Sequence, residues 1–237
     1  RKTVKKAMKQ ATTAEARQRF GTNDPLFNYR WEHVTAVVTL ALKLGELTGA
    51  DMEVVEAAAW LHDIRKEAGP KHPQEGAKAA HEILEKTDFP RQKIGHVARA
   101  IRSHQGLWRR KPLKDLESQV LWDADKLAKI GLTAAFHFTP LILMKGNGTT
   151  LQTLINDARS NNKWMSKTVA SMHTEPAKLA AQKRLKRFNK LWARLEAELN
   201  IRLLHIRRLL KSADFEAELP LPEMDIDEFG GDPERIA

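Results

Sequence analysis

The sequence contains no cysteine, which excludes both a disulfide framework and any thiolate metal site. A bound metal would have to rest on His, Asp, Glu and water, a hard shell suited to Mn, Fe, Mg, Co, Ni or Zn. Tyrosine occurs once and phenylalanine eight times, and β-branched runs are scarce, so sheets are not expected. No stretch of eighteen uncharged apolar residues occurs, so no membrane span is expected. The first twenty residues lack the apolar block of a secretory signal, and a cytoplasmic location is the expectation. Glycines and prolines are few, 12 and 10, and cluster between periodic segments.

What is present is charge and helical periodicity. The net charge is +10, and it is unevenly spread. Arg1, Lys2, Lys5, Lys6, Lys9, Arg17 and Arg19 face only Glu15 at the start of the chain. Lys178, Lys183, Arg184, Lys186, Arg187, Lys190 and Arg194 crowd a late segment, and the last stretch turns acidic from Asp214 to Glu228. Such basic faces suit phosphate-bearing ligands or nucleic acid; solvated helices partly neutralised by the acidic tail are the other reading.

Apolar residues recur at helical spacing almost throughout. The pattern predicts helices over Glu32–Leu47, Met52–His62, Gln74–Glu85, Gln92–Ser103, Leu116–Leu132, Leu151–Met172 and Ala177–Leu210. The pattern loosens from about Phe136, around Thr139-Pro140. The Met52–His62 segment is apolar all round and belongs at the centre of a bundle. The expected organisation is a basic N-terminal segment (1–24), a helical bundle domain (25–140), a C-terminal helical extension (141–213) and an acidic tail (214–237).

His33, the adjacent His62 and Asp63, and Asp125 each lie in or at the end of a different apolar helix. Helices packed side by side with polar groups facing inward supply converging metal ligands. His62 and Asp63 sit about 100° apart on a helix and reach one point most easily where that helix ends. Asp123 and Asp125 point about 200° apart and cannot easily face one ion together.

Arg30-Trp31-Glu32-His33-Val34, Ala58-Ala59-Trp60-Leu61-His62-Asp63-Ile64 and Ala124-Asp125-Lys126-Leu127 together resemble the H…HD…D signature of HD-domain phosphohydrolases, over roughly residues 28 to 135. The resemblance implies an all-α HD-domain helical bundle and a divalent ion, or two, held first by His33, His62, Asp63 and Asp125. It selects Asp125 as the ligand and leaves Asp123 to support the site or cap a helix. His62-Asp63-Ile64-Arg65-Lys66 is similar to the HDIGK form, and Lys66 matches the lysine that faces substrate phosphate there. His72-Pro73-x-x-Gly76-Ala77 and Ala100-Ile101-x-x-His104 are similar to the middle histidines of two-metal HD proteins and of HD enzymes that split dinucleoside tetraphosphates. His72 and His104 are thus expected at a second metal or at substrate phosphate, His104 foremost because it ends an apolar helix. His81 stands as a replacement for His72, or as a surface group like His96. His137, His173 and His205 read as structural.

The implied activity is hydrolysis of a phosphate ester or anhydride, with a nucleotide as expected substrate. Asp63 would orient or deprotonate the attacking water, Lys66 would offset transition-state charge, and Lys126, Arg109 and Arg110 would bind substrate. Trp108-Arg109-Arg110-Lys111 reads either as a phosphate clamp with a base-stacking ring or as an exposed loop. Two alternatives stand beside it: a di-iron oxygenase on the same scaffold, and a nucleic-acid-binding or regulatory protein using the basic C-terminal helix.

Overall fold

The computed structural model describes residues 1–143, 150 and 162–211. The chain divides into two compact units, Arg1–Trp192 and Ala193–Ala237. The first unit is a helical bundle. The described part of the second unit is the C-terminal portion of one helix. No strand occurs among the described residues, as the shortage of β-branched runs predicts.

Helix α1 spans Lys2–Phe20, α2 Tyr29–Thr48, α3 Met52–Leu61, α4 His72–Glu85, α5 Arg91–Ser103, α6 Leu116–Leu127 and α7 Leu132–Leu143. Two more follow, α8 at Asn162–Ala170 and α9 at Glu175–Lys211. The expected start of a helix at Leu151, the acidic tail from 214 and the side chain of His205 lie outside what is described. No helix among the described residues is long and apolar enough to cross a membrane.

Local sequence sets the helix starts. The Asn28 side chain accepts from the Trp31 N–H at 3.0 Å and starts α2, which puts Arg30 and His33 on one face of its first turn. Asp51 caps α3 through the N–H groups of Glu53 and Val54, and Asp115 caps α6 through Ser118. Helix α3 is the central element. Val54, Val55 and Ala57 to Leu61 are all buried, against α2, α5 and α6. Fully enclosed Leu61, Trp122, Leu121 and Ile101 extend this core, each contributing about 1.5–3 kcal/mol by removal from water.

The basic first segment is a helix packed on that core. Its buried stripe is Val4, Met8, Thr12 and Ala16, one residue per turn. Ammonium groups of flanking lysines lie over aromatic rings of that core, with Lys5 Nζ 5.7 Å from the Trp60 ring and Lys9 Nζ 6.0 Å from the Trp31 ring.

Several boundaries differ from the pattern, among them the start of α2, at Tyr29 rather than Glu32. Helix α4 begins at His72, two residues early, after a 3₁₀ turn over Lys66–Lys71. Helix α6 stops at Leu127 rather than Leu132, and α7 starts afresh at Leu132. Gly131, at φ +96°, makes that break, and a Cβ there would lie 2.9 Å from Arg184 Cβ. Beyond it α7 continues through Pro140 to Leu143, where the sequence pattern loosens.

Candidate metal centre

Three histidines sit at the helix boundaries around one buried carboxylate. His62 is the C-terminal cap of α3, His72 opens α4 and His104 caps the end of α5. Each directs Nδ1 at the backbone carbonyl three residues earlier: His62 to Ala59 at 2.8 Å, His72 to Gly69 at 2.6 Å and His104 to Ile101 at 2.5 Å. A carbonyl only accepts, so Nδ1 carries the proton in the neutral ring and the Nε2 lone pair is left free. Gly69 meets this demand with φ +57° and ψ −126°, which turns its carbonyl toward His72.

The Nε2 atoms of these three rings and of His33 converge on Asp63, which follows His62 in the turn after α3. Its Oδ2 lies 3.6 Å from His62 Nε2 and 3.8 Å from His33 Nε2. Its Oδ1 lies 3.6 Å from His72 Nε2 and 3.5 Å from His104 Nε2. The two pairs are themselves close, 3.4 Å for His33–His62 and 3.3 Å for His72–His104. Two three-residue sets with mutually close donor atoms result, His33/His62/Asp63 and Asp63/His72/His104, all buried and sharing Asp63.

Asp125 reaches the same centre from α6, with Oδ1 3.1 Å from His33 Nε2. Its carboxylate is also held by the ammonium groups of Lys126 and Lys129. Asp123 points elsewhere. It accepts from the backbone N–H groups of His173 and Thr174 at 2.9 and 2.7 Å, from Thr174 Oγ1 at 2.8 Å and from His173 Nδ1 at 3.0 Å. It therefore fixes the turn that starts α9.

Cations surround the acids. Arg30 Nη1 donates to Asp63 Oδ2 at 2.5 Å, and Lys66 Nζ lies 3.1 Å from Asp63 Oδ1 and 3.2 Å from His72 Nε2. Burial alone would raise the Asp63 pKa, but His62, Arg30 and Lys66 outweigh it and hold the carboxyl well below its usual range. Burial likewise opposes ionisation of Asp125, and Lys126 with Lys129 reverses the balance. Burial pushes the His62 pKa down to about 4 and that of His33 well below its usual value, so both rings are neutral at pH 7. A proton that an unfolded histidine takes up near 6.5 is thus refused in the fold. Stability of the metal-free protein should be full above that pH and fall as pH drops from about 6.5 to about 4. His62 alone accounts for on the order of 3 kcal/mol of that fall. Urea midpoints at pH 7, 5.5 and 4.5 measure it, and a flat series would contradict the buried neutral rings.

The remaining residues expected at the site are engaged differently. Lys126 is 3% exposed, and its ammonium also donates to the His104 carbonyl at 2.9 Å, tying α5 to α6. The Arg109 guanidinium donates to the Ser103 and Lys111 carbonyls and shapes its own loop. Arg110 is exposed, and Trp108 is covered on one side by Lys167, at 5.1 Å. His81 is exposed and pairs with Glu85 at 3.1 Å, so it does not take the place of His72; His96 is exposed too. His173 stacks edge-on against Trp122, and His137 edge-on against Tyr29.

Sequence reasoning passed over three groups beside the carboxylates. Arg30 stands in the motif that carries the family resemblance, one turn before His33, with no role assigned to it there. Lys129 stands four residues after Asp125, the spacing of an ion pair on a helix, and Glu15 was the lone acid in a basic segment.

An all-helical bundle whose core gathers histidines and aspartates from several helices is compatible with a divalent metal held between its helices. Residues 30–130 match the family model of the HD domain, and this stretch of the chain is an HD domain. The fold is shared with solved structures. One is a predicted HD superfamily hydrolase from an uncultured Thermotogales bacterium, 24% identical over 83% of this chain and 91% of that one, with a TM-score of 0.56. Another is YpgQ of Bacillus subtilis in complex with ADP, 22% identical over 82% and 97%, TM-score 0.58. A third is an HD-superfamily hydrolase from Bacillus thuringiensis, 20% identical over 83% and 98%, TM-score 0.58. No curated protein matches the chain.

Proposed function

We propose that this chain is a metal-dependent phosphohydrolase acting on a nucleotide or another phosphate ester or anhydride. The observation that carries the reading is the shared carboxylate: Asp63 offers one oxygen to His33 and His62 and the other to His72 and His104. The donor set fits a divalent cation of the Mn, Fe, Mg, Co, Ni or Zn type, since it is neutral imidazole and ionised carboxylate with no sulfur. In this reading His33, His62, Asp63 and Asp125 hold the first ion. His72 and His104, with Asp63, hold a second ion or the substrate phosphate. A divalent ion supplies Lewis acidity and brings the pKa of water toward neutrality.

The chain's own residues do the rest. The backbone carbonyls of Ala59, Gly69 and Ile101 keep the imidazoles in the tautomer that binds through Nε2. Lys126 and Lys129 keep Asp125 ionised and fixed. Lys66, 31% exposed at its side chain and touching Asp63 and His72, is placed to offset charge on phosphoryl oxygens. Asp63 orients the attacking water and takes its proton. The similarity to HD superfamily hydrolases supports the class of reaction, and the ADP in the Bacillus subtilis structure belongs to that protein and supports a nucleotide substrate here.

The test is a phosphate-release screen over nucleoside mono-, di- and triphosphates and dinucleoside polyphosphates with each metal, using Asp63→Ala as control. Release that is equal in the wild type and the variant sinks the assignment. The second histidine pair favours one competing reading, a di-iron oxygenase. Two bound irons with O₂ consumption, and no phosphate release, would establish it instead.

A further inference from the structure

Glu15 is the sole acid between Arg1 and Asn23, yet its shortest ion pair is with a cation outside its own helix. Its carboxylate accepts both Arg30 Nε at 2.8 Å and Arg30 Nη2 at 3.2 Å, the paired geometry of a guanidinium and a carboxylate. The third edge of the same guanidinium donates to Asp63 Oδ2. Arg30 is buried and Glu15 nearly so, at 9% and 16% side-chain exposure, so solvent screens this relay poorly. Arg19, at 3.7 Å from Glu15, is the only other cation within ion-pair distance of it among the described residues.

The charges explain what the relay is for. Arg30 on Asp63 cancels one of the negative charges a divalent ion would be drawn to. A second carboxylate on Arg30 restores that charge and locks the planar group in one orientation.

We propose that Glu15 is a positioning residue of the metal centre, acting through Arg30, which makes the basic N-terminal helix part of the site. The proposal rests on the metal-centre reading above. Groups that orient a metal ligand in this way alter metal affinity by about 10- to 100-fold when removed.

The experiment titrates metal-free wild type, Glu15→Gln, Glu15→Asp, Arg30→Gln and the Glu15→Gln/Arg30→Gln pair with Mn²⁺, reading free Mn²⁺ by electron paramagnetic resonance. Met8→Ala serves as a control that loosens α1 without touching the relay. Glu15→Gln should bind Mn²⁺ about 10- to 100-fold more weakly with unchanged stoichiometry, Glu15→Asp should recover part of the loss, and Met8→Ala should melt lower yet bind as wild type does. In the Arg30→Gln background, Glu15→Gln should have no further effect. Wild-type affinity in Glu15→Gln, an equal loss in Met8→Ala, or the same loss with Arg30 already replaced overturns the proposal. A wild type that binds no Mn²⁺ overturns the metal-centre reading itself, and the proposal with it, before any variant is compared.

Discussion

Asp63→Ala should abolish Mn²⁺ binding at both histidine pairs at once and lower phosphate release by about 10³-fold or more. The double loss follows from one carboxylate facing both pairs through different oxygens. Replacing a ligand that belongs to a single set, such as His104, should remove at most one equivalent. The fold should survive the change, because Arg30 retains its two bonds to Glu15 and is not left as an uncompensated buried charge. Circular dichroism checks the fold, and equilibrium dialysis against Mn²⁺ gives the stoichiometry. One equivalent still bound by Asp63→Ala would mean that the two sets do not depend on a common residue.

Asp123→Ala should act through stability. Asp123 is fully buried, and its carboxylate is the acceptor for two backbone N–H groups, the Thr174 hydroxyl and the His173 ring. Truncation strands these donors away from water. Hydrogen bonds to a charged acceptor contribute about 1.5–3 kcal/mol each, and their losses overlap, so a total of about 3–5 kcal/mol is expected. Asp123→Asn keeps one acceptor oxygen and should lose about half as much. Urea unfolding measures both, and the folded Asn variant should bind Mn²⁺ as the wild type does. Asp125 two residues later gives the converse result, since its oxygens face His33, Lys126 and Lys129. A substitution at Asp125 that changed stability alone would remove it from the site.

The helical bundle was legible in the sequence because burial and period speak for themselves in α2, α3 and α5. Each shows an apolar stripe, and α3 shows apolar residues all round. The candidate site residues were legible because the pattern of His33, His62-Asp63 and Asp125 resembles a family signature, and because His62 and His104 close apolar helices. The angle between positions two apart showed that Asp123 and Asp125 cannot both face one point, and the resemblance chose Asp125; what Asp123 caps, fifty residues away, was not legible. Helix ends were harder to place. The break at Gly131 depends on the approach of Arg184 from α9, a contact that no local pattern announces. Arg109 is a further case, since a basic loop looks the same whether its guanidinium reaches a ligand or, as here, its own backbone. Arg30 and Glu15 illustrate the same limit: each is ordinary in its own segment, and their meaning lies in a pairing across fifteen residues.

The carbonyls that receive the three Nδ1–H groups belong to Ala59, Gly69 and Ile101. At 59 and 101 a carbonyl is supplied by whichever amino acid occupies the position. Substitution there can alter packing without altering the proton placement on the neighbouring ring, and the fixed element is the three-residue offset from each helix end. Over evolutionary time this arrangement would let the surrounding helices drift far in sequence while the imidazoles keep the same face toward Asp63. Inserting or deleting one residue between 59 and 62, or between 101 and 104, is the change it does not tolerate.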